Sequence, residues 1–226
     1  MISRGMKRLF ILLNFLFLIF GMTASSEAFL IFHEDFNTGS APNVPVIATG
    51  ADNNWFGARF SPGGGTIQSD IARSNIVPTD SFGRFRDGAG ILVKVSTAEY
   101  DNIRFNFDWR TDEAPSSNKF KAGWFDGDIT GFNGSRTKDL TSGPESWGNW
   151  NQLLDGSPID TFTSEGFGLP SGKPNLWIAF WMEGNVGRGF VDNIEVRGRP
   201  VPEPASMILM GSGLLGLAGL GKKRKS

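Results

Sequence analysis

Residues 104–110 read Arg104-Phe105-Asn106-Phe107-Asp108-Trp109-Arg110. In an extended chain Phe105, Phe107 and Trp109 share one side, and Arg104, Asn106, Asp108 and Arg110 share the other. That strict period of two marks a strand with one buried face. The rhythm recurs at 90–98, "GILVKVSTA", where Ile91, Val93 and Val95 group together against Lys94. At 189–198, "GFVDNIEVRG", it sets Phe190, Asp192, Ile194 and Val196 against Val191, Asn193, Glu195 and Arg197. The stretch 175–184, "NLWIAFWMEG", is apolar on both faces, as a central strand covered on both sides would be.

Gly/Pro turn signals punctuate these runs, at 61–65, 87–88, 126–127, 133–134, 155–158 and 169–172. No amphipathic helix interrupts them. The pattern predicts an all-β, antiparallel two-sheet β-sandwich, and at this length a jelly roll. Residues 127–148 are rich in Gly, Ser and Thr and read as long loops at one end of the sandwich.

The two ends of the chain follow other rules. Arg4, Lys7 and Arg8 precede an apolar run from Leu9 to Phe20, and Ser26-Glu27-Ala28 fits a small-x-small cleavage pattern. Residues 1–28 are therefore expected to be a secretory signal peptide, handled by the Sec machinery and signal peptidase. Cleavage is placed after Ala28, with Ala24 as the alternative. Ala205 to Gly221 carries no charge, which predicts a single C-terminal transmembrane span. Lys222, Lys223, Arg224 and Lys225 follow it and put the body outside the cytoplasm.

Residues 29–200 remain as one domain. This body holds 15 of the 22 Lys+Arg and 21 of the 23 Asp+Glu, so its net charge is −6. Such a charge argues against a nucleic-acid partner or an anionic-membrane surface. The chain has no Cys, which removes thiol catalysis, thiolate metal sites and disulfides.

Catalytic motifs are absent from the sequence. His33 is the single His, there is no Gly-x-Ser-x-Gly elbow, and no phosphate-binding or dinucleotide fingerprint occurs. Seven Trp are present. Trp147 and Trp150, beside Asn149, Asn151 and Gln152, are the candidates for an exposed sugar-stacking platform, with Trp55 next. Trp109, Trp177 and Trp181 are expected in the core. Asp126, Asp128 and Asn133 have partial calcium-loop spacing, which an Asp-Gly turn explains equally well. Asp192 shares a face with apolar residues, so it should be paired, capping a turn or holding a cation.

Two resemblances add to this reading. The opening "FLIFHEDFNTG" and the closing "GFVDNIEV" resemble the first and last strands of carbohydrate-binding and lectin-like jelly rolls. That resemblance implies that the two strands lie side by side. It also implies a structural Ca²⁺ held by Asp192 together with Glu34 or Asp35. Val201-Pro202-Glu203-Pro204, the Gly/Leu-rich run and the basic end resemble the PEP-CTERM sorting signal of Gram-negative bacteria, over 201–226. It implies processing by an exosortase after transient anchoring in the inner membrane, with delivery to the envelope, outer surface or extracellular matrix.

The function expected is that of a non-enzymatic envelope or matrix protein, sorted by this tail, with polysaccharide as the ligand of the sandwich. The alternatives are a secreted glycan-active enzyme and a purely structural surface protein.

Overall fold

The computed structural model describes residues 27–36, 55–61, 69–73, 81–86, 88–134, 136–184 and 186–201. The expected signal peptide up to residue 26 lies outside them. So do Pro202, Glu203 and Pro204, the span 205–221 and the basic tail Lys222, Lys223, Arg224 and Lys225.

The described residues form twelve strands in chain order: β1 Phe29–Glu34, β2 Trp55–Arg59, β3 Ser69–Arg73, β4 Ser81–Arg86, β5 Ala89–Val95, β6 Tyr100–Asp112, β7 Lys119–Asp126, β8 Thr137–Asp139, β9 Asn151–Gly156, β10 Thr163–Leu169, β11 Leu176–Glu183 and β12 Arg188–Pro200. The described residues include one 3₁₀ turn, Trp147–Asn149, and no helix long and apolar enough to cross a membrane. The strands make two sheets. The front sheet has the order β10-β6-β12-β4-β3, with β1 also pairing β12. The back sheet has the order β8-β2-β5-β11-β7-β9. The chain is an all-β two-sheet sandwich.

Alternation explains the filling between the sheets. Phe105, Phe107 and Trp109 of β6 meet Ile178, Phe180 and Met182 of β11, Phe120 of β7 and Val93 of β5 in one buried cluster. Rings make much of the contact: Phe107 and Phe180 are 4.9 Å apart edge to face, and Trp109 stacks on Phe120 at 4.6 Å. Each such buried side chain contributes about 1.5–3 kcal/mol relative to exposure. The first and last strands pair antiparallel, with Glu34 opposite Ile194 and Phe29 opposite Gly198.

Strand β11 is central and apolar on both faces, and its outer face carries a second core. Trp177, Ala179 and Trp181 pack there with Ala58, Phe60 and Leu92. The cover is the segment 127–150, which brings Ile129, Leu140 and Trp150 onto that face. The expectation of long loops at one end is therefore corrected: this segment adds β8 to the edge of the back sheet beside β2 and packs Ile129, Leu140 and Trp150 over its outer face. Trp177 and Trp181 leave too much apolar area on that face for water to be a tolerable neighbour.

A bulge corrects the reading of β12. Between Asp192 and Glu195 the register with β6 slips by one residue, and Asn193 takes a left-handed φ of 48°. An inserted residue reverses the phase of alternation. Val191, Ile194 and Val196 consequently face the core. Asp192, opposite Asp108, lies on the outer side of the front sheet and is still only 7% exposed.

Candidate binding cleft

At one pole of the sandwich three connections converge: β6 to β7, β9 to β10 and β11 to β12. They enclose a cleft of about 600 Å³ lined by Thr111, Asp112, Glu113, Ala114, Pro115, Pro158, Ile159, Asp160 and Val186. Local bonds fix its floor. Thr111 and Ile159 are tied through three hydrogen bonds: the Thr111 N–H donates to the Ile159 carbonyl at 2.6 Å, the Thr111 hydroxyl donates to the same oxygen at 2.9 Å, and the Ile159 N–H donates to the Thr111 hydroxyl at 2.9 Å. The buried Asn118 amide donates to the carbonyl of Val186. Gly187 has φ 104°, and a Cβ there would sit 2.7 Å from Ala114 Cα, so only glycine lets these two turns close together.

The polar wall is an ionic cluster. Arg188 reaches Asp112 Oδ2 at 3.2 Å and Glu113 Oε2 at 2.9 Å. Glu113 holds a left-handed φ of 52°, a conformation that costs about 1–3 kcal/mol in a non-glycine residue. Asp160 stands exposed at the rim, opposite apolar walls from Ala114, Pro115, Pro158 and Ile159. Two residues further on, Phe162 is exposed and holds Arg110, whose guanidinium also lies over Phe190 at 4.1 Å and Phe82 at 5.3 Å. The opening thus offers carboxylates and apolar surface, with the Arg188 guanidinium paired to two of those carboxylates. That combination can accept and donate hydrogen bonds to hydroxyls while covering C–H faces.

The residues expected from sequence are elsewhere. Trp150 is buried in the second core, where its indole N–H donates to the Glu145 carbonyl at 3.0 Å. Trp55 is buried in the main core, and its indole N–H donates to Glu34 Oε2 at 3.1 Å. Neither presents a ring face to solvent, which corrects their reading as an exposed platform. Trp147 is half-buried against the same second core. Flanking polar residues suggested exposure, but the outer aromatic face of β11 takes Trp147 and Trp150, and Phe32 and Phe36 take Trp55.

The carboxylates assigned to calcium by resemblance have other partners. Glu34 accepts the Phe36 N–H at 2.8 Å as well as the Trp55 indole. Asp192 Oδ1 accepts the Asn193 N–H at 2.8 Å, so Asp192 caps the bulge. Asp35 is half-buried and also engaged. Arg197 pairs with Glu195 rather than with Asp192. Among the described residues no three acidic or histidine side chains gather into a metal-holding group. The Asp126–Asn133 loop is held by ordinary contacts too: Asp126 pairs with Lys173 at 2.6 Å, and the Gly127 carbonyl accepts the Trp177 indole.

The cleft residues were not singled out from sequence. Thr111 to Pro115 and Ser157 to Asp160 read only as strand ends and turns, and nothing local shows that they meet.

The fold and the pole define a two-sheet sandwich with a polar end cleft. Some of the solved structures to which the sandwich is similar are carbohydrate-binding modules by description. They include a xylan-binding domain of carbohydrate-binding family 22, with 10% identity over 78% of this chain and 99% of that one and a TM-score of 0.47. The CBM22-1 xylan-binding domain from Paenibacillus barcinonensis Xyn10C gives 10% identity, 79% and 100% coverage and a TM-score of 0.48. The C-terminal family 22 module of Clostridium thermocellum Xyn10B gives 13%, 77%, 96% and 0.45. No curated protein matches the sequence significantly. Residues 200–225 match the PEP-CTERM protein-sorting motif. The chain therefore carries at its C-terminal end a sorting signal that implies export and surface sorting by an exosortase.

Proposed function

We propose that this chain is an envelope or extracellular-matrix protein of a Gram-negative bacterium whose sandwich binds polysaccharide in the polar end cleft. In this reading residues 1–28 are removed on export, residues 29–200 form the jelly-roll working domain, and residues 201–226 are the sorting signal. The span 205–221 holds the chain in the inner membrane until the exosortase acts. The observation that carries the binding role is the cleft itself, whose lining combines the carboxylates of Asp112, Glu113 and Asp160 with apolar surface from Ala114, Pro115, Pro158 and Ile159. Saccharides need this pairing of charge-assisted hydrogen bonds with flat apolar contact. Two of the three cleft carboxylates are tied to Arg188, which suits holding a ligand better than moving protons.

The test is retention of the full chain, in detergent, on immobilised polysaccharides. Asp160→Ala removes a rim carboxylate without touching the core and should weaken retention by about tenfold, the equivalent of about 1.4 kcal/mol. Phe162→Ala should weaken it less. Absence of retention of the unaltered chain on every glycan, or full retention by Asp160→Ala, removes the cleft from consideration.

A further inference from the structure

Among the described residues five large apolar side chains are exposed, and three of them gather at the pole opposite the cleft. Phe29 is 60% exposed, Leu30 44% and Val201 47%. Pairing explains the grouping. Phe29 lies opposite Gly198, and Tyr100 lies opposite Pro200. The rings of Phe29 and Tyr100 stack at 6.4 Å, and the Val201 N–H donates to the Glu99 carbonyl at 2.8 Å. The body therefore begins and ends at one place, and that place is an apolar, aromatic patch.

We infer that this patch rests on the headgroup layer of the lipid bilayer while the tail is still attached. The inference takes over the reading of 205–221 as a membrane span. Length decides the geometry. Three residues, 202–204, lie between Val201 and Ala205, where the apolar run starts. Fully extended, they allow about 14 Å between those two Cα atoms. The headgroup layer on one side of a bilayer is itself about 5–7 Å deep. Two of the three linking residues are Pro, which keeps the link extended and stiff. Val201 is thus held in or just above the headgroups, and its neighbours Phe29, Leu30 and Tyr100 with it. Aromatic and apolar side chains at that depth are the ones that interfaces favour. Arg199 adds an exposed cationic head at the same end of β12, while Arg197, opposite Leu30, is paired with Glu195.

Tethering supplies a high effective concentration, so a small patch suffices for contact. The net charge of −6 on residues 29–200 works in the other direction and lets the body leave an anionic surface once the tail is cut. The orientation follows as well. Strand β12 runs 13 residues from the cleft at Arg188 to Pro200, so the cleft points away from the membrane, toward extracellular polymer.

The absence of Cys makes a site-by-site test direct. The full chain with Leu30→Cys, Val186→Cys or Ser212→Cys is labelled with an environment-sensitive fluorophore and reconstituted in phosphatidylethanolamine/phosphatidylglycerol vesicles. The label at 30 should shift to the blue and lose most of its emission to a headgroup-level lipid quencher. The label at 186, on the cleft pole, should do neither. The label at 212 should be quenched by lipids carrying the quencher deep in the acyl chain. If 212 is quenched and 30 behaves like 186, the docking surface is refuted and the span stands. If 212 is not quenched, the span reading and the docking fall together. If 30 responds only in vesicles that also contain the processing enzyme, the patch belongs to that enzyme and the lipid contact is refuted.

Discussion

The indole N–H of buried Trp55 has Glu34 as its acceptor, and the other oxygen of Glu34 takes the Phe36 N–H. Removing that acceptor strands a buried donor, which costs about 1–3 kcal/mol. Glu34→Ala should lower stability by that amount in denaturant unfolding, whereas Glu34→Gln keeps an acceptor and should cost clearly less. Equal losses in the two variants would show that the bond is not what Glu34 contributes. Gly90 shows a different dependence on one residue. A Cβ there would lie 2.3 Å from the Phe180 carbonyl oxygen, inside the back sheet. Gly90→Ala should therefore destabilise by about 1–3 kcal/mol or more, the usual range for overpacking, in the same unfolding measurement.

The cover 127–150 is the element on which the back sheet depends. It is fastened by the Leu140 N–H to the Arg59 carbonyl at 2.9 Å, and by Lys138 with Glu145 within itself. Leu140→Ala should cost about 2–5 kcal/mol and raise binding of a hydrophobic dye, because the Trp177–Trp181 face loses its seal. Asp139 tunes the same fastening. The Thr141 hydroxyl, and then its N–H and Arg59, hold its carboxyl below the usual carboxylate value against a smaller opposing effect of burial. A carboxyl depressed in the folded state adds stability above its unfolded pKa and loses it as pH falls through the folded one. Acidification below about pH 4 should therefore lower the protection of the Leu140 amide relative to the unfolded chain at the same pH, and Asp139→Asn should remove that acid sensitivity. An unchanged acid response in Asp139→Asn would assign it to other carboxylates.

For the described residues, the two poles differ: the ends of the sandwich body, with Phe29, Tyr100 and Val201, lie at one, and the cleft with its ionic cluster lies at the other. Cohesion comes from two aromatic cores, with Glu34 and Asp192 used for internal hydrogen bonds. Stability should accordingly be indifferent to chelation. The melting temperature is expected to be unchanged by EDTA, since only a ligand bound to the folded state can raise it. A fall of several degrees would mean that the folded chain binds a divalent ion after all.

The sequence by itself determined what depends on neighbours along the chain. Alternation in 104–110, the doubly apolar 176–183 and the sorting motif at the C-terminal end are local patterns, readable because side-chain direction and hydropathy repeat with the backbone. The pairing of β1 with β12 was legible too, through its resemblance at both ends. Only the tertiary structure decided the rest. The bulge at Asn193 turned Asp192 away from the core, and a one-residue slip leaves no mark in hydropathy. Trp150 went inward because the outer face of β11 needed covering, a demand set by a strand more than 25 residues away. The cleft arose where Thr111, Ile159 and Val186 meet, and a site built from three distant turns exists only once two sheets have fixed where their strands end.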